Sequence, residues 1–201
     1  MRARHPLRGQ CARSVPCKDA QVDDIRSRLR STFQWIGDRT DAGFRADVTG
    51  WWRDATILGE IGAGLAALFG DADPTVVMGT QSRGSILGVL TALHLGVGFA
   101  EVRKEPSPSA DSDAWWTTAT APDYRDRHLD LGLRRSRLRS GDRVLFVDDW
   151  IDTGAQASAC RRLVDLSGAS WLGGAVVVDG LGEPALRRRL TIRSLLHIRD
   201  L

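Results

Sequence analysis

The chain has 201 residues, 42% of them apolar and 26% charged, with 28 Lys+Arg against 25 Asp+Glu for a formal net charge of +3. This length and balance are those of a soluble globular protein with one domain and a sizeable core. The longest apolar stretch, Ile57 to Phe69, is broken by Glu60 and several glycines and falls short of the roughly 20 residues that a bilayer span needs, so no transmembrane helix is expected.

The first segment, Met1 to Ala20, is Arg-rich and has no apolar run of signal-peptide length. We expect a flexible N-terminal arm over residues 1–20, a single domain over 21–201 and a cytoplasmic location. Cys11, Cys17 and Cys160 are odd in number and lack the paired short spacings of zinc sites, which indicates neither a disulfide framework nor structural metal. The positive charge, nearly all on arginine, suits nucleic acid or anionic small molecules. Because Asp and Glu are interspersed through the chain, no nucleic-acid partner is expected.

Apolar residues recur at helical spacing from Val22 to Ile36, and a second, more apolar helix is expected from about Asp54 to Phe69. Between them Gly43 to Val48 alternates enough for a short strand, followed by Trp51-Trp52. Beyond Pro74 come the apolar run Val76-Val77-Met78, a Gly-containing loop, a helix from about Gly84 to Leu95 and a run from Val97 to Val102, which together make a β-α-β unit. The polar segment Lys104 to Asp123, carrying Trp115-Trp116, is too long for an ordinary connection and has the length of a lid or binding loop. A short strand near His128 to Leu131, a strand Val144 to Val147, a helix from about Ala155 to Leu166 and a strand Ala175 to Val178 complete the reading. The expected product is an α/β fold, a mainly parallel sheet flanked by helices.

The chemistry is concentrated in Arg143 to Ala157, an apolar strand that ends in Asp148-Asp149 and turns through Asp152-Thr153-Gly154 into a helix. Ligands of open α/β sheets settle at the carboxyl ends of the strands, and a helix N-terminus attracts phosphate. Asp152 to Gln156 is therefore a candidate phosphate cradle, with side-chain donors on Thr153 and Gln156 and close backbone approach at Gly154. Asp148 and Asp149 can accept hydrogen bonds from sugar hydroxyls or hold a hydrated Mg²⁺. As neighbours on a strand they are expected to point to opposite faces.

The string resembles the motif with which type I phosphoribosyltransferases bind 5-phosphoribosyl-1-pyrophosphate (PRPP): an apolar strand, two acids, two more residues, then a Thr-Gly phosphate loop. Gly79 to Gly88 resembles the pyrophosphate loop of the adenine phosphoribosyltransferases. Leu95 to Phe99 with Val102-Arg103-Lys104, Asp123-Tyr124, His128 to Leu131 and Gly141 to Val144 are similar to later segments of the same family. The resemblance spans Val76 to Val178 and implies the type I fold, with a hood at about residues 40–52 and a lid at about 104–124.

It further implies transfer of the 5-phosphoribosyl group of PRPP to a purine, adenine favoured, in purine salvage, with Mg²⁺ as cofactor, pyrophosphate as product and a homodimer as the working form. Ser82, Arg83, Gly84, Arg103 and Lys104 would hold the pyrophosphate, and Asp148, Asp149, Asp152, Thr153, Gly154, Ala155 and Gln156 the ribose phosphate, with Asp148 and Asp149 as the metal ligands. Phe44 and Arg45 match the hood and would meet the base; Phe44 or Trp51 would stack on it unless the tryptophan is core. Asp123 would handle a proton and Arg83 would meet developing charge.

Two departures stand out. Asp152 takes a position usually small in adenine enzymes and resembles the acid of hypoxanthine-guanine enzymes, so it either acts on a 6-oxopurine or caps the helix. Thr153-Gly154-Ala155-Gln156 replaces the commoner Thr-Gly-Gly-Thr. Alternatives to adenine transfer are a 6-oxopurine or specialised-metabolism base, or a non-catalytic PRPP-sensing regulator. The last is disfavoured because about 70 residues precede the core and they contain no helix-turn-helix pattern.

Overall fold

Buried β-branched residues set the centre of the sheet: β3 (Val76–Thr80) is buried at every position and β7 (Arg143–Ile151) at nearly all. The computed structural model describes residues 18–40, 43–106, 114–121 and 128–201. Parallel to β3 and β7 run β4 (Gly98–Lys104), β8 (Ser170–Asp179) and β9 (Ile192–His197). Two antiparallel strands, β5 (Trp115–Ala119) and β6 (Asp130–Arg134), extend one edge, giving the order β5-β6-β4-β3-β7-β8-β9.

Helices cover both faces. On one lie α1 (Lys18–Thr32), the short α2 (Thr49–Arg53), α3 (Ala55–Ala67) and α4 (Arg83–Leu95), whose Ile25, Leu29, Trp51, Ile61 and Leu87 pack with Val77, Leu145 and Val147. On the other lie α5 (Ala155–Ser167) and α6 (Pro184–Leu190), packing Cys160, Leu163, Leu186 and Leu190 onto Met78, Phe146 and Val176. Asp54 starts α3 by accepting hydrogen bonds from the amides of Thr56 and Ile57 at 2.8 and 3.1 Å. No helix among the described residues is long and apolar enough to cross a membrane.

Three expectations need correction. The helix expected from Val22 to Ile36 stops at Thr32, and Gln34–Ile36 forms β1, paired antiparallel with β2 (Arg45–Asp47) in a separate two-stranded sheet. That pairing is non-local, so helical spacing across Phe33 could not reveal it. The segment Lys104 to Asp123 is not one long loop, because it contains β5, which pairs along its whole length with β6. The strand expected to end at Val147 continues to Ile151, carrying both acids within it. Residues 1–17 of the expected arm, 107–113 and 122–127 of the expected lid region, and with them Asp123 and Tyr124, lie outside the described residues.

Candidate active site

The carboxyl ends of β3, β4 and β7 open on a cavity of about 1320 Å³, closed on one side by the β1–β2 hairpin and on another by α5 and α6. Ser82, Arg83, Lys104, Asp148, Asp149, Asp152, Thr153, Gly154, Ala155, Gln156, Phe44 and Arg45 all line it. Gly84 stands directly behind the acids: a Cβ there would lie 2.8 Å from Asp148 Oδ1. Arg103 does not line the cavity. Its guanidinium faces Glu101 at 3.4 Å and the Trp115 ring at 6.0 Å, because neighbours on β4 alternate and Lys104 takes the cavity side.

Both acids are nearly fully buried, Asp148 at 8% and Asp149 at 6% exposed. Thr80 Oγ1 donates to Asp148 Oδ2 at 2.9 Å, and the Asp149 amide donates to Asp148 Oδ1 at 3.0 Å. Burial, reinforced by the neighbouring Asp149 charge, pushes the Asp148 carboxyl up to about 7 in spite of these two donors. Asp149 Oδ2 lies 2.9 Å from Arg83 Nη1, an ion pair that lacks hydrogen-bond alignment and leaves that oxygen an open acceptor.

Both acids open on the one cavity at the carboxyl end of β7, Asp148 meeting Thr80 of β3 and Asp149 meeting Arg83 of α4. The register of β7 with β8 is constant from Asp148 to Ile151, so the strand runs through the acids without a bulge and brings them to its cavity end.

The candidate phosphate cradle is the turn into α5. Gly154, with φ of 72°, is its N-cap, and no side chain caps the helix. Thr153 Oγ1 accepts from the Ala155 amide at 3.3 Å, whereas Asp152 is exposed on the cavity wall, so the helix-cap alternative for Asp152 does not hold. Gln156 Oε1 is buried without a partner. Opposite, the Gln81–Ser82 peptide is cis, and Gln81 is fixed by Lys104, whose amide donates to its Oε1 at 3.2 Å. That contact joins the turn after β3 to the end of β4.

The hood is aromatic. Trp35 of β1 stacks on Phe44 with centroids 4.7 Å apart and planes at 12°, and meets Trp150 edge-on at 6.1 Å. Trp51, an alternative stacking residue, is instead core: it is fully buried and its Nε1 donates to Leu29 O at 3.0 Å. Trp115 and Trp116, on β5, lie outside the cavity lining, with the Arg134 guanidinium 4.9 Å from the Trp115 ring. Sequence reasoning missed Trp35 and Trp150 as cavity residues, together with Leu186 and Arg189 of α6. Trp150 was findable, because it directly follows the acids; Trp35 reaches the cavity only through the β1–β2 pairing.

No family model matches the chain. It is 36% identical over 186 residues to an adenine phosphoribosyltransferase of Methylococcus capsulatus, covering 88% of this chain and 99% of that protein. A Synechococcus enzyme of the same name is 30% identical over 189 residues, with the same coverage of both chains. The crystal structure of adenine phosphoribosyltransferase from Rhodothermus marinus superposes with a TM-score of 0.73 at 27% identity, covering 88% of this chain and 99% of that one. A parallel sheet with two acids and a helix N-terminus at its carboxyl edge, shared over nearly the full length of such relatives, makes this chain a type I phosphoribosyltransferase and a member of the adenine phosphoribosyltransferase family.

Proposed function

We propose that this enzyme transfers the 5-phosphoribosyl group of PRPP to a purine base, adenine favoured, releasing pyrophosphate in purine salvage. One observation carries the reading: Asp148 and Asp149, the turn Asp152–Gln156 and Arg83 line one cavity together with the rings of Trp35, Phe44 and Trp150. Phosphate groups belong with the helix N-terminus and the cations, sugar hydroxyls with carboxylates, and a purine with aromatic faces.

In this mechanism the base nitrogen displaces pyrophosphate at ribose C1 through an electron-poor sugar. Thr153 to Gln156 hold the 5′-phosphate, and Asp148 and Asp149 orient the ribose through its hydroxyls. Arg83 and Lys104 meet the charge that builds on the leaving pyrophosphate. The donor set also fits a hydrated Mg²⁺, with two adjacent carboxylates, one of whose oxygens is an open acceptor; such an ion keeps most of its waters and would shield the pyrophosphate charge. Among the described residues no cluster of three or more metal-ligating side chains exists, so a protein cage for the ion is not part of the proposal. Phe44 and Arg45 receive the base, Asp123 handles its proton, and the segment 104–124 excludes water.

A homodimer is the proposed working form, supported by Ile86, Val89 and Leu93 standing exposed along α4. Sedimentation of the protein beside a Leu93→Asp variant tests it, a monomeric wild-type protein being the adverse result. The activity is tested by supplying PRPP, Mg²⁺ and single bases and following pyrophosphate release, with turnover on adenine the expected result and no release with any purine the contrary one. A second reading is favoured by Asp152 on the cavity wall: a carboxylate there pairs with the ring N–H of a 6-oxopurine. Exclusive use of hypoxanthine or guanine, lost in Asp152→Ala, would establish that reading over adenine.

A further inference from the structure

The phosphate cradle is short of positive charge. Thr153 to Ser158 are neutral, and the preceding Asp152 carries the same sign as the phosphate. The helix N-terminus alone supplies only a partial charge against a dianion. Ala155 and Gln156 also stand where the family's commoner loop has a glycine and a hydroxyl.

The missing cation is on α6. This helix leans on the cradle itself: a Cβ at Gly154 would lie 2.8 Å from Leu186 Cδ2. Arg189, one turn beyond Leu186 on the same side of the helix, lines the same cavity. Its backbone is fixed to the cradle's own helix, because the Arg161 guanidinium of α5 donates to its carbonyl oxygen. The helix is fixed to the sheet by Arg187, which donates to Asp179 Oδ2 and Oδ1 at 2.6 and 3.2 Å. Arg162, the other arginine of this rim, is engaged by Thr118 Oγ1 at 3.1 Å and by Ala119 O. Among the described residues the Arg189 guanidinium has no carboxylate partner. Along the strand order β4-β3-β7-β8 the cavity thus carries Lys104 and Arg83 at the ends of β4 and β3, the two acids on β7 and Arg189 on the helix that follows β8. That order of charges is the negative image of a sugar with a phosphate at each end.

We infer that Arg189 is a ligand of the 5′-phosphate, supplying from α6 the positive charge that the turn into α5 lacks. The inference rests on the proposed reading of the cavity as a PRPP site. It is tested on the full chain by thermal unfolding with ribose 5-phosphate alone and with pyrophosphate alone, and by steady-state kinetics in PRPP. Arg189→Gln is expected to lose most of the midpoint rise given by ribose 5-phosphate and to keep that given by pyrophosphate. Its KM for PRPP should rise about tenfold with kcat within about twofold, the loss of one charge-assisted contact. Arg189→Lys should recover part of the affinity, and Arg188→Gln, one position away and outside the cavity lining, should match wild type. Equal losses for both ligands, no loss for either, or the same loss in Arg188→Gln would overturn the assignment. A wild-type protein indifferent to ribose 5-phosphate would instead remove the reading beneath it.

Discussion

The hydroxyl of Thr80, at the end of β3, donates a 2.9 Å hydrogen bond to Oδ2 of Asp148 on the neighbouring strand β7. The bond favours the ionised carboxylate, and burial next to Asp149 opposes it more strongly, so the group titrates at about 7 instead of near the usual carboxylate value. Between about pH 4 and the folded value the unfolded chain has released this proton while the folded protein retains it. The stability associated with Asp148 therefore falls as pH rises through that window and is constant above it.

Asp148→Asn removes this titration while keeping an acceptor for Thr80. Relative to wild type the variant should gain stability from pH 5 to about pH 7, on the order of 3 kcal/mol in total, and keep a constant difference above it. Urea unfolding at closely spaced pH values reads the difference, and parallel pH profiles for the two proteins would contradict the assignment.

Gly84 tests the close approach of α4 to the acids. In a helix, Gly→Ala ordinarily stabilises by about 1 kcal/mol. Here the new Cβ would sit 2.8 Å from Asp148 Oδ1 and 3.1 Å from Thr80 Oγ1, so the carboxylate must turn away from its donor. Gly84→Ala should destabilise by about 1–3 kcal/mol and weaken PRPP binding at least tenfold. A stabilised variant with unaltered PRPP titration would show that the site yields freely.

Arg83 pairs with Asp149 at 2.9 Å while remaining half exposed, so it contributes more to the cavity's field than to the core. Arg83→Gln is expected to lower kcat by about 10²-fold, the scale of losing one charge that meets a developing anion. Its unfolding midpoint should move little. Pyrophosphate release measured at saturating PRPP distinguishes this from a binding defect, in which kcat would survive.

Arg187 holds α6 to the end of β8 through the buried Asp179, which is 5% exposed. Arg187→Ala leaves that carboxylate with the Leu181 amide as donor and should cost about 2–3 kcal/mol. Arg187→Lys should regain less than half, since an ammonium cannot reproduce the two-pronged contact. Chemical unfolding of the three proteins checks both figures, and near-equal stabilities would mean that α6 is held by packing alone.

Much of this architecture is legible locally. The spacing from Asp54 to Phe69 and from Gly84 to Leu95 gave α3 and α4 within two residues at each end, and Arg143 to Ala157 located the cavity's acids and the turn after them. What escaped depends on distant partners. β1 exists because Gln34 to Ile36 meet Arg45 to Asp47, and β5 because Trp115 to Ala119 meet Asp130 to Arg134. Period-two patterns of three or five residues carry little signal until the partner strand is in place.

Trp150 sits one residue beyond Asp149 and touches the hood through Phe33, at 6.3 Å and 28°, and through Trp35. On the proposed function, the element that would receive the base and the element that would grip the sugar meet at a single indole. Protein engineers who widen or narrow the hood will shift the carboxylates with it, so altered base preference and altered catalytic rate should emerge as linked traits in any variant library that samples these rings.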